Sequence, residues 1–475
     1  MSRLPSELVS HIARCILDGE IISRTPGELF KEEDIIDAKS IIPLTHVCRY
    51  WRESIISTPE NWTLISSRSE GLASSSLQRA KAAPLEIRLN MNQVRKAPGF
   101  SALIAPHIQN AKTLLICNGL SIKELAQKIQ PNLRSLALIR SGQHRDWDWS
   151  IDPFGPSIPA LTYLLLEYTP LYPPFLHLRT LTDLVLRVVE FNIHLDTLLD
   201  FLEENHSLER LDLSIQFTEP TLRSSRRQVP IRNRLQSLTI YSTDVVDCNA
   251  LISNLALQRG ANLDITIYYP SAEFNDLPSV ISMTHRHLPN LEFPTLMEYH
   301  PKEISIRLLG PNGSFSFEAL GLNGPFAECS LDCLAWFPPV HLTNIRTFRY
   351  SWSESLFRES ETFMFSPSTL PALETFVVEY EVDLSYLLSA LLLDPSSSPS
   401  LKILAFLDCD LDEYFMEELI LFASNRKKTT SAWLHRVVIV NSKGIFPKFA
   451  SIDALRKHVP VVDVQISEKL PAGLI

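Results

Sequence analysis

One six-residue pattern, L-x-x-L-x-L, recurs along most of this 475-residue chain and constrains what it can fold into. It begins at Leu133 (LRSLAL), Leu161 (LTYLLL), Leu181 (LTDLVL), Leu208 (LERLDL) and Leu235 (LQSLTI). It returns at Ile345 (IRTFRY), Leu373 (LETFVV), Leu401 (LKILAF) and Leu434 (LHRVVI). Successive copies stand 28, 20, 27 and 27 residues apart, then 28, 28 and 33. Weaker copies at Leu85, Lys112, Leu263 and Val461 keep the same beat. An apolar residue at every second position is the mark of a strand with one buried face. Helical stretches such as LDTLLDFLEEN, from Leu195, lie between the copies. Strands joined through helical crossovers run parallel, and units that cannot bury their apolar face alone must stack. The spacing therefore predicts an α/β body with a parallel sheet, its strands near 135–139, 163–167, 183–187, 210–214, 237–241, 375–379 and 403–407.

This pattern resembles the leucine-rich repeat, in which a short strand and a helical return stack into a solenoid with a parallel sheet on its concave face. The repeat's inward asparagine position holds Ser141, Thr169, Thr243 and Cys409 here, and LKILAFLDCDL is the copy nearest the family pattern. The resemblance implies a solenoid over residues 85–475. A stretch rich in Gly, Pro and Phe, about 270–340, is expected to hold irregular repeats, with SIRLLG and SFSFEAL as further strands.

Ahead of the body, the first 65 residues carry helical periodicities and more apolar surface than a segment that short can bury alone. LPSELVSHIARCIL places Leu4, Leu8, Ile12 and Ile16 four apart. A short helix is expected around Asp34 to Ile42. PLTHVCRYWRESIIS sets Leu44, Val47, Cys48, Trp51, Ile55 and Ile56 on one face, predicting a helix over 44–57 with Pro43 at its start and packing through Leu8, Ile12, Val47 and Trp51. Residues 66–84, small and polar, form an expected linker with one short helix around Leu77.

Leu4-Pro5-x-Glu7-Leu8, then Ile12, and Val47-Cys48-x-x-Trp51 ending at Trp62 resemble the F-box motif, in the version with STPENW that is abundant in fungi. The span from Asp18 to Ser40 is longer than that family's usual connection. The resemblance implies a three-helix F-box domain over residues 1–65 that docks on a Skp-family adaptor through Leu4, Pro5, Leu8, Ile12, Val47 and Trp51. Through that adaptor it would join a cullin–RING ubiquitin ligase, making the chain a substrate-recognition subunit without catalytic activity of its own. The alternative is a repeat scaffold with no ubiquitin role; an enzyme in a repeat shell is a third reading that no motif supports.

Composition fits these expectations. The net charge of −10, without long runs of either sign, argues against nucleic acid as the main partner. No apolar run approaches the ~20 residues that span a bilayer. MSRLPSELVSHI lacks a signal peptide's layout, and seven scattered cysteines suit reduced thiols, so a cytoplasmic or nuclear protein is expected. No phosphate-binding glycine loop, G-x-S-x-G or H-E-x-x-H is present. Cys329, Cys333 and His341 have poor zinc spacing, and Asp408, Asp410 and Asp412 suit solvated loops, so no metal, cofactor or catalytic residue is assigned. A Trp147–Trp149 loop and an arginine-rich stretch from Arg223 to Arg234 are further surface candidates.

Between the inward leucines, alternate residues line the sheet's other face. Arg187, Arg210, Asp212, Tyr241 and Tyr268 are the predicted substrate-binding residues, because Tyr and Arg dominate binding hot spots and none of the five belongs to the leucine core. Toward the C-terminus the same positions turn aliphatic (Val377, Ile403, Ala405, Leu407, Val438, Val440) and must be covered or sticky.

Overall fold

The computed structural model describes residues 4–22, 38–118, 132–139, 160–168, 178–187, 195–215, 235–242, 245–255, 257, 261–268, 294, 296–300, 305–310, 313–320, 342–351, 370–379, 398–409, 411–429, 433–440 and 449–465. The fold is mixed α/β with seventeen strands, mostly parallel. The chain divides into two compact units, Met1–Ser224 with Ile231–Leu235, and Ser225–Pro230 with Gln236–Ile475.

The first unit opens with helix α1 (Ser6–Ile22), a 3-10 segment (Ala38–His46) and helix α2 (Arg49–Ser57). A 3-10 turn (Pro59–Trp62) leads into strand β1 (Leu64–Ser66) and helix α3 (Glu70–Ala80). The continuous helix expected over 44–57 is not formed. Thr45 turns its hydroxyl back to the Ile42 carbonyl at 2.7 Å, and Cys48 adopts an extended backbone that starts α2 only at Arg49. Pro43 sits inside the 3-10 segment rather than in the first turn of an α-helix. Residues 66–84 hold the helix expected around Leu77: α3, capped by the Ser69 hydroxyl, buries Ala73, Ser76, Leu77 and Ala80.

Strands β2 (Leu85–Asn90), β3 (Ala111–Cys117), β4 (Ser135–Ile139), β5 (Tyr163–Glu167), β6 (Asp183–Arg187) and β7 (Arg210–Ile215) follow. From β1 to β7 each strand pairs in parallel with the next. Helices α4 (Met91–Lys96), α5 (Pro98–Ile104) and α6 (Leu195–Glu204) lie between them in sequence. The leucines of the repeat, including Leu136, Leu164, Leu184, Leu186 and Leu213, are fully buried, which is the burial the alternation predicts.

In the second unit β8 (Ser237–Ser242) and β9 (Asn262–Tyr268) are parallel neighbours, and helix α7 (Val245–Ser253) joins them. The glycine- and proline-rich region then breaks the sequential order. Strand β10 (Leu296–His300) pairs with β13 (Thr347–Ser351), β11 (Ser305–Gly310) runs antiparallel to it, and β12 (Gly313–Leu320) returns to pair with β9. The spatial order is therefore β8, β9, β12, β11, β10, β13, with β11 the one antiparallel strand among the described residues. Gly310 pairs with Gly313 across the hairpin, where a two-residue connection demands a tight turn. Strands β14 (Thr375–Glu379), β15 (Ile403–Leu407), β16 (Arg436–Val440) and β17 (Val461–Gln465) complete the parallel series. Helix α8 (Glu413–Thr429) packs on the leucine face, Phe415 meeting Phe406 edge-on at 5.1 Å, and helix α9 (Phe449–Arg456) precedes β17.

A shared corner marks several repeats. Asn118, Tyr168 and Asp408 each follow a strand with positive φ, and each N–H donates to the carbonyl ending the neighbouring strand, at 2.9, 3.0 and 2.9 Å. Next to that corner, Cys409 is fully buried with its thiol near the Val378 and Leu407 carbonyls, both at 3.4 Å. Ser141, Thr169 and Thr243 lie outside the described residues.

Candidate functional site

Two surfaces could carry function. The first is on the N-terminal head. Helix α1 bears two apolar stripes at i, i+4 spacing. Val9, Ala13 and Leu17 are buried, whereas Leu4, Leu8 and Ile12 are exposed, Leu8 by 48%. Pro5 and Val47 are exposed too, Val47 by 60%, as is Ile56, and Trp51 is half-buried. The expectation that the head packs through Leu8, Ile12 and Val47 is thus corrected: Val9, Ala13, Ile41 and Ile55 do the packing. The two helices are fixed together by the Tyr50 hydroxyl, which donates to the Leu4 carbonyl at 2.9 Å. Ser10 donates to the Asn61 carboxamide at 3.1 Å, and Arg14 donates to the Glu60 carbonyl at 3.2 Å, tying α1 to the turn that holds Trp62. The Trp62 indole is 1% exposed, donates to the Ile55 carbonyl at 2.9 Å and lies under the Arg79 guanidinium at 4.1 Å. The head is consequently joined firmly to the strand and helix that follow, and its outward stripe is left on a fixed frame.

The second surface is the polar face of the first unit's sheet. Register places Tyr163, Asp183 and Arg210 side by side on β5, β6 and β7. Arg187 reaches across to Asp212 at 2.9 Å, and Arg210 pairs with Asp183. The Arg187 and Asp212 side chains are each 14% exposed, and Arg210 is 71% exposed. Burial raises the Asp212 carboxyl above its ordinary value of 3.8, a loss of hydration that the Arg187 charge only partly offsets. The Tyr163 phenol is pushed up to about 12, chiefly by burial, with Arg187 opposing and the two aspartates adding to it. Tyr163 is not among the sequence-based candidates; its cross-strand position beside Asp183 is the signal that would have found it.

Three of the five predicted contact residues therefore form one cluster. The other two belong to the second unit, where Tyr241 is buried and so offers no open contact surface. Tyr268 is the last residue of β9, and its side chain lies outside the described residues. The same face of the second unit carries its own charge ladder: Glu298 receives Arg307 at 3.4 Å and Arg349 at 3.5 Å, and Arg349 also reaches Glu379 at 2.7 Å. Beyond it, Val377, Ala405, Leu407, Val438 and Val440 form a buried cluster with Ile403 packed against it.

Among the described residues no group of three or more His, Cys, Asp or Glu could hold a metal ion, and no helix is long and apolar enough to cross a membrane. Asp412 accepts from the Phe415 N–H at 2.7 Å and caps α8, a structural use. Asp410, the Trp147–Trp149 loop, residues 223–234 and the Cys329, Cys333 and His341 set lie outside the described residues. No protein-family model matches the chain, and no curated protein matches it in sequence.

Proposed function

We propose that this chain is a substrate-recognition subunit of a Skp–cullin–F-box ubiquitin ligase, working in the cytoplasm or nucleus. The head docks on a Skp-family adaptor, and a leucine-rich-repeat-like solenoid presents the substrate. The observation that carries the reading is the second stripe on α1. A helical cap serving only to cover the sheet would bury its apolar residues, yet while Val9, Ala13 and Leu17 on α1 are buried, Leu8 and Ile12 one residue over, Leu4 just before the helix and Val47 ahead of α2 stay in water. These are the positions that the F-box resemblance assigns to the adaptor. The strand spacing and the repeated corner at Asn118, Tyr168 and Asp408 support the solenoid. The chain holds its substrate near the ligase rather than acting on it, with Arg187, Arg210, Asp212 and Tyr163 as the recognition cluster.

Leu8→Ser with Val47→Ser tests the docking. Both side chains are exposed, so folding should persist by circular dichroism, and capture of a purified Skp-family adaptor should fall about a hundredfold, the loss expected from two apolar anchors. Undiminished capture, or a wild-type chain that captures adaptor but no cullin, would count for a scaffold without a ubiquitin role.

A further inference from the structure

We propose that the first unit holds an anion site for a phosphate monoester, at the rim where β3 and β4 begin. Here a hollow of about 370 Å³ is lined by Ala82, Pro84, Asn110, Lys112, Asn132, Arg134 and Ala160. Two consecutive repeats build it from the same pattern, an asparagine followed two residues later by a basic residue, in Asn110-Ala-Lys112 and Asn132-Leu-Arg134. The Arg134 N–H donates to the Lys112 carbonyl at 2.9 Å, so the two residues are cross-strand neighbours, about 4.8 Å apart as adjacent strands are. The Asn110 and Asn132 carboxamides stand two residues earlier in the same two repeats. All four side chains are exposed, and among the described residues none makes a hydrogen bond or ion pair.

Like charges on adjacent strands oppose folding, so this pair calls for a reason outside stability. The second unit supplies an internal control. There the equivalent column runs Arg346, Glu374, Lys402, the Glu374 and Lys402 N–H groups each bonded to the preceding residue's carbonyl at 2.8 Å, and Lys402 pairs with Glu374 at 3.4 Å. Alternating charge satisfies that column, whereas in the first unit the column runs Lys112, Arg134, Thr162 and Thr182 and reaches an acid only at Glu209, three strands beyond Arg134. A guanidinium, an ammonium and two carboxamides aimed into one open hollow match a dianion with three acceptor oxygens. The lining has no aromatic ring on which a base could stack, and the chain's net charge of −10 disfavours nucleic acid, so the phosphate is that of a phosphorylated side chain or a small phosphomonoester. The assignment rests on this rim alone and stands apart from the ligase reading.

Calorimetric titration of the full chain decides it, with inorganic phosphate in one arm and a phosphoserine peptide and its unphosphorylated twin in the other, at fixed ionic strength. Saturable binding is expected, weakened about tenfold by Lys112→Gln or Arg134→Gln and lost in the double variant, with Arg346→Gln unchanged. A phosphopeptide that binds tighter than inorganic phosphate identifies a protein segment as the source; equal affinity identifies a small phosphomonoester. No saturable binding in either arm, or an equal loss from Arg346→Gln, overturns the site.

Discussion

Two stretches of sheet, β6–β7 in the first unit and β14–β16 in the second, present the same face in opposite ways. In the first, β6 and β7 offer Asp183, Arg187, Arg210 and Asp212, paired with one another and in part open to water. In the second, β14 to β16 offer Val377, Ala405, Leu407, Val438 and Val440, all buried. The backbone is the same, parallel strands in matching register, so the difference lies in the alternate residues alone. A strand's leucines decide that it joins the sheet, and the residues between them decide whether its other face is a surface or a second core. The buried aliphatics are accordingly no docking groove in the isolated chain.

The largest effect should come from breaking the closed face. Val438→Asp places a carboxylate at a fully buried position with no cation assigned to it and should destabilise the second unit by about 4 kcal/mol or more. Val185→Asp, at the half-buried middle of β6 on the same face as Arg187 and Arg210, should cost no more than about half of that. Urea unfolding followed by circular dichroism measures both. Equal losses would mean that the two faces are equally closed.

The strand positions were legible in the sequence almost to the residue because period-two leucines in a stacked repeat have one solution: Leu184 and Leu186, or Leu211 and Leu213, can be buried together only on one side of the sheet. Strand order was not legible at β10 to β12. Local patterning marks SIRLLG and SFSFEAL as strands, but which neighbour each takes depends on the Gly310–Gly313 hairpin and a crossover elsewhere in the chain. The head was half legible. Its apolar positions were evident, but Val9 and Leu8 are adjacent on α1 and equally apolar, and only the packed partner surface decides which is buried. Pro43 is ambiguous because proline is tolerated in a 3-10 segment as well as at a helix start. In the polar cluster, Arg187, Arg210 and Asp212 follow from their alternation, whereas Tyr163 requires the register of β5 against β6.

A smaller effect sharpens the charged side of the comparison. The Arg187 and Asp212 side chains are each 14% exposed, so Asp212→Ala takes the facing carboxylate from a largely buried guanidinium and should cost about 2–3 kcal/mol. The pH dependence has a definite sign. The folded-state pKa of Asp212 is raised, so its contribution to stability is fully present below the ordinary value of 3.8 and is lost as pH rises through the folded value. In Asp212→Asn, that decline above pH 3.8 should disappear from the stability profile measured by urea titration at a series of pH values. A profile that declines as before would assign the titration to another group.

The smallest effect belongs to Arg210, in the same cluster. It pairs with Asp183, but its side chain is 71% exposed and surrendering it leaves no orphan, because Asp183 still accepts from the Thr182 hydroxyl at 2.7 Å. Arg210→Ala should therefore change stability by less than about 1 kcal/mol, and ~1 M salt should erase the difference from wild type. Two ion pairs that share one sheet face would then differ severalfold in worth by solvent access alone. That separation makes Arg210 the residue through which recognition can be tested without disturbing the fold: if the open face binds a partner, Arg210→Ala weakens capture while unfolding is unchanged. A loss of stability as large as that of Asp212→Ala would instead place Arg210 in the structural set, and the first unit's polar face would then serve folding no less than the aliphatic face of the second does.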